Sequence, residues 1–114
     1  MAKLPLETTA TISRLKQQFL DIIDRSSKTE FSLFEQFGEI EETLPYLDEM
    51  KNVENEALSS FSQLSNLQIR IAQSQPAVAP DLLELLNRAI VRTQNRIPAL
   101  ERSIEEVTSE WNLL

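Results

Sequence analysis

Whatever chemistry this sequence performs has to come from carboxylates, hydroxyls, lysines and arginines. The 114 residues include no His, no Cys and a single Gly. Without His and Cys, most nucleophilic triads, all thiol chemistry and nearly all zinc and transition-metal sites are excluded. One glycine leaves no phosphate-cradling loop. Ser13-Arg-Leu-Lys16 has the Ser-x-x-Lys spacing of serine acyl-enzymes, but the accompanying Ser-Asp-Asn and Lys-Thr-Gly elements are missing. On a helix it reads as a solvated polar pair. The carboxylates of Glu39, Glu41, Glu42, Glu105 and Glu106 could in principle meet a hard cation. Di-iron bundles need a Glu-x-x-His element, and EF-hand loops need alternating Asp or Asn followed by Gly; neither occurs. Glu41 and Glu42 point about 100° apart on a helix, so they make no paired acid/base site. The composition points away from catalysis, and no cofactor, metal or small-molecule ligand is expected.

Charge narrows the partners. Lys and Arg total 11 against 18 Asp and Glu, a net charge of −7. Residues 30–56 hold nine of the acids (Glu30, Glu35, Glu39, Glu41, Glu42, Asp48, Glu49, Glu54, Glu56) and only Lys51. A nucleic-acid binder needs a dense basic stripe to displace counterions, and this chain has none. The same segment disfavours anionic lipid. No run of 18 apolar residues is present to span a membrane. The start lacks an apolar run of signal-peptide length, and neither an acylation nor a prenylation motif is found. A soluble, cytoplasmic protein is expected.

The elements that position these side chains are helices. Leu83, Leu86, Ile90, Thr93, Ile97, Leu100, Ile104, Val107, Trp111 and Leu114 alternate steps of three and four, a heptad seam of more than four repeats. It predicts a helix over 81–113, about 50 Å long at 1.5 Å per residue, whereas a compact globule of this size spans only about 35 Å. The molecule should therefore be a rod. Pro98 falls at an outward position, so a kinked but continuous helix is expected. Gln75-Pro-Ala-Val-Ala-Pro80 is a loop. Upstream, Leu47, Met50, Ala57, Leu58, Phe61, Leu64 and Ile71 predict a helix over 46–74, with Pro45 in its first turn and Thr43 as its cap. Ile12, Leu15, Phe19, Ile22, Ile23, Leu33, Phe37, Ile40 and Leu44 share one face of a first helix over 6–44. No alternating β pattern appears. The expectation is a single all-α domain covering 1–114, an elongated antiparallel bundle of three long helices. A four-helix bundle with breaks near 27 and 53 is the alternative, because Ser27-Lys-Thr-Glu30 matches a capping box.

Against this frame three features stand out as candidate protein-binding residues. Leu20, Phe31 and Phe34 align with one another well off the main apolar face of the first helix, and Ser27 and Gly38 fall on the same second stripe. Two apolar faces on one helix imply two neighbours, either a fourth helix inside the bundle or a partner outside it. In the second case the aromatics could meet their equivalents across a two-fold axis, with small Gly38 admitting the partner closely. Arg88, Arg92 and Arg96 repeat every four residues and suit the acidic 30–56 stretch of a neighbouring helix or another protomer. Trp111 either closes the end of the bundle or anchors a partner. A non-enzymatic adaptor or scaffold subunit acting through protein contacts, as an oligomer or within a larger assembly, is the expected function. The alternative is a small monomeric regulator or chaperone that captures a partner's amphipathic helix.

Overall fold

A computed structural model describes residues 4–113. Three helices follow one another, α1 over Leu6–Phe37, α2 over Leu44–Gln73 and α3 over Pro80–Glu110. They run up, down and up. Lys16 of α1 meets Gln68 of α2, and Glu30 meets Lys51, so these two are antiparallel. Tyr46 of α2 meets Glu110 of α3 and Glu56 meets Arg96, so this pair is antiparallel too, which leaves α1 parallel to α3. The molecule measures 56 × 20 × 17 Å. It is the rod that the helix length demanded, and among the described residues no strand is present.

One seam per helix builds the core. In α1 the buried positions are Ile12, Leu15, Phe19, Ile22, Ser26, Thr29 and Leu33, and in α2 they are Met50, Val53, Ala57, Ser60, Leu64, Leu67 and Ile71. Both sets alternate steps of three and four, the heptad signature of helices packing near-parallel. In α3 the seam is Leu86, Ala89, Thr93, Ile97, Leu100, Ile104 and Val107. Two of the core hydroxyls are satisfied locally, Thr93 Oγ1 donating to the Ala89 carbonyl at 2.7 Å and Ser26 Oγ to that of Ile23 at 3.2 Å. Local satisfaction lets short polar side chains occupy core positions without an orphaned donor. It also explains why the capping-box pattern at Ser27 starts no new helix. Ser26 and Thr29 keep the seam in phase, and α1 runs unbroken through it. The four-helix alternative is therefore replaced by three helices, and α3 is continuous through Pro98.

The helix ends correct the sequence expectations. α1 stops at Phe37, not at 44, because Gly38 adopts φ 76° and ψ −175°. Side chains are excluded from that region, so only glycine takes it without strain of about 1–3 kcal/mol. Its N–H makes the last helical bond, to Phe34 O at 2.7 Å. Phe37, Ile40 and Leu44, expected in the core, are about half exposed. Thr43 does not cap α2 with its hydroxyl. Fully buried, it ties the turn instead, since Oγ1 accepts from the Ile40 N–H at 3.0 Å and donates to Gly38 O at 2.8 Å. At the other end of the sequence α3 stops at Glu110 rather than 113. Asn112 takes φ 53°, its N–H reaches Ser109 O at 3.2 Å, and Leu113 N–H reaches Thr108 O at 2.8 Å. That pair of bonds around a left-handed Asn is a Schellman closure, and buried Leu113 supplies its apolar contact. Leu114 lies outside the described residues.

Two outcomes follow from the packing. Ile104 is 3% exposed, so Ile104→Asp places an unpaired carboxylate in the seam at a cost of several kcal/mol. Its circular dichroism signal should collapse on mild heating, and a melting point within a few degrees of wild type would contradict the seam. Thr43→Val keeps the shape but leaves the Gly38 carbonyl and the Ile40 N–H without their partner. Urea unfolding should show a loss of about 1–3 kcal/mol.

Candidate functional site

Because the core seam of α1 occupies a single stripe, Phe31 and Phe34 have no place inside the bundle. They are 64% and 50% exposed. The reversal at Gly38 brings the first turn of α2 beside them, so that Phe31, Phe34, Leu44 and Leu47 line one groove of about 390 Å³. Ser27 lies at one edge, and Glu30, Glu39, Asp48 and Lys51 border the rest. Lys51 offsets only part of that acidic border. Its Nζ lies 3.3 Å from Glu30 and 3.5 Å from Glu54. The hydrogen bond and charge of Glu30, then the charge of Glu54, raise its pKa, so it stays a cation shared by two acids. The groove thus joins aromatic and aliphatic side chains of two helices in one exposed surface.

The other candidate residues separate from this groove. Leu20 is 44% exposed and lies outside it, eleven residues along α1 from Phe31. Gly38, expected to admit a partner helix closely, ends α1 instead, and nothing stands within 4 Å of where its Cβ would be. The arginine stripe is divided. Arg96 holds both oxygens of Glu56 on α2, Nε at 2.7 Å and Nη2 at 2.9 Å. Such a two-pronged geometry is the strong form of the pair, and it holds the Glu56 carboxyl below its ordinary pKa. Arg92 bonds Gln63 of α2, and Arg88 pairs with Glu84 one turn away at 2.6 Å. The stripe thus docks in part on the neighbouring helix of its own chain.

Trp111 closes the end of the bundle. Its ring centroid lies 4.9 Å from that of Phe37 and 5.4 Å edge-on from that of Tyr46, an arrangement favoured by the ring quadrupoles. The Tyr46 hydroxyl donates to Glu110 at 2.8 Å, a bond that raises the pKa of the phenol. Lys16, read from the sequence as half of a solvated pair, packs over the Phe61 ring at 5.2 Å and donates to Gln68 at 3.0 Å. Among the described residues no three acidic, His or Cys side chains gather as a metal-holding group, and no helix is long and apolar enough to cross a membrane.

Leu44 was the groove residue that periodicity misassigned, since it continues the phase of the first helix's core face, whereas Leu47 packs partly buried against the core as its helix face predicted. The signal that could have freed Leu44 is the lone Gly38 followed by Leu44-Pro45, a stop and a start six residues apart.

Distribution of charge along the rod is lopsided. The half containing the α1–α2 turn, residues 22–57 and 98–113, carries fourteen acids and four bases. The opposite half, residues 4–21 and 58–97, carries four acids and six bases. Burial raises the pKa of Glu49, and the neighbouring charges of Glu106 and Glu110 raise it further. A carboxyl whose folded pKa lies above its unfolded value destabilises the fold at neutral pH and ceases to do so once both states are protonated. Glu49→Gln should therefore melt higher than wild type at pH 7, with the difference shrinking as pH falls through the carboxylate range. A constant difference from pH 7 to pH 3 would place the effect in packing rather than charge.

Compared with family models, with curated proteins and with solved structures, the chain matches none of them.

Proposed function

We infer that this chain is a cytoplasmic, non-enzymatic interaction module, an adaptor or scaffold subunit that works within a larger assembly by presenting a folded helical surface. The observation that carries this reading is the exposed Phe31–Phe34 pair, set in a groove with Leu44 and Leu47 rather than scattered singly. Aromatic side chains bury large areas with few rotatable bonds, which is why they dominate binding hot spots. An isolated exposed apolar residue calls for no explanation, but four converging on one groove do. The residue types support the same reading, because the chain has neither the imidazole nor the thiol that most enzymatic sites use.

Phe34→Glu separates binding from folding. Phe34 takes no part in the core, so the variant should keep the helix content and melting behaviour of wild type. Used side by side as baits in lysate of the source cells, wild type should retain proteins that Phe34→Glu does not. Identical sets retained by both folded baits would overturn the reading.

A further inference from the structure

Beyond the groove, exposed apolar side chains recur on the same helix faces. Leu20 precedes Phe31 by eleven residues on α1, and Leu58 follows Leu47 by eleven on α2. Eleven residues are close to three helical turns, so each pair shares a helix face. The two helices are antiparallel, so both extensions run from the groove toward the middle of the rod. Leu20 and Leu58 are 44% and 52% exposed. From Phe34 back to Leu20 this interrupted track of apolar side chains, with polar Ser27 and Asp24 between them, covers about 21 Å at 1.5 Å per residue. That is the length and form that an α-helix of about four turns fills when it lies between two others.

Charge decides what kind of helix fits. The track starts in the half of the rod that holds fourteen acids and four bases. Glu30, Glu39 and Asp48 border the groove, and Lys51, the one cation there, is already shared between Glu30 and Glu54. A second copy placed across a two-fold axis here would set this acidic half against itself, and a symmetric interface repeats every such repulsion. A basic helix meets the opposite situation, with apolar side chains for the groove and cations for both of its borders.

We propose that the α1–α2 groove receives a basic amphipathic helix of a partner protein, laid along the acidic half of the rod as a fourth helix. This rests on the interaction-module reading and adds to it the chemistry of the partner. The aromatics give the contact its hold, whereas the acids govern the partner's sign, its rate of approach and its sensitivity to salt.

The test uses the full chain and three synthetic peptides of about 18 residues. One carries a Leu face flanked by Lys, the second the same Leu face flanked by Glu, and the third a scramble of the first. The Lys peptide should bind one-to-one by titration calorimetry, at least tenfold more tightly than either of the others. Its affinity should fall as salt rises from 50 to 300 mM. Phe31→Ser with Phe34→Ser, which circular dichroism should show folded, is expected to weaken it at least tenfold. A scramble that binds equally well, or a double variant that binds undiminished, would reduce the effect to unspecific charge and overturn the proposal. Equal binding of the Glu peptide would remove the role of the acidic border and overturn it too. If the wild type instead sediments as a dimer that Phe34→Ser dissociates and the Lys peptide does not displace, the occupant is a second copy. That result overturns the basic partner but leaves the interaction-module reading standing, whereas baits indistinguishable in lysate would remove both.

Discussion

The reversal between Phe37 and Leu44 is the constraint on which the rest of this molecule turns. Gly38 takes a backbone conformation closed to other residues, and buried Thr43 spans the turn with a hydroxyl that both accepts and donates. With the turn fixed, Leu44 and Leu47 come to lie beside Phe31 and Phe34, and the acids of the turn crowd one end of the rod. Had α1 continued in phase to residue 44, Phe37, Ile40 and Leu44 would have lengthened a buried seam. A six-residue interruption converts apolar core material into surface.

Much of the fold is legible from residue types because a rod of this kind has one organising signal. Heptad spacing placed Ile12, Leu15, Phe19, Ile22 and Leu33 in α1, and Leu86, Ile97, Leu100, Ile104 and Val107 in α3, where the structure buries them. The same signal misleads where it does not know when to stop. Periodicity counts apolar residues without regard to the backbone, so it carried α1 past Gly38 and placed Leu58 in the core, although Leu58 is exposed. It also undercounts the seam where Ser26, Thr29 and Ser60 occupy core positions, because small hydroxyl side chains fit there, that of Ser26 bonded to its own helix.

The candidate site shows the same division. That Phe31 and Phe34 point away from the core was readable from their phase alone. Which side chains would join them was not, because Leu44 and Leu47 belong to another helix and their approach depends on the geometry of a turn. The arginines illustrate the converse. Their regular spacing suggested one continuous surface, yet Arg96 is held by Glu56, Arg92 by Gln63 and Arg88 by its own helix. Spacing along a helix defines a stripe, and only the neighbouring helix determines which of its members remain available.

An odd number of helices has a mechanical consequence. Since α1 and α3 run in the same direction, residue 4 and residue 113 emerge at opposite ends of a body 56 Å long. Anything joined to the two ends is held apart by the full length of the rod. Tension applied between them acts along the helix axes and must slide α1 past α3, disturbing the whole interdigitated seam at once. In a hairpin of two helices the same tension would peel the contacts open one turn at a time. Pulling on the two ends therefore meets the whole packed length of the rod, and the apolar groove lies toward the end from which residue 113 emerges.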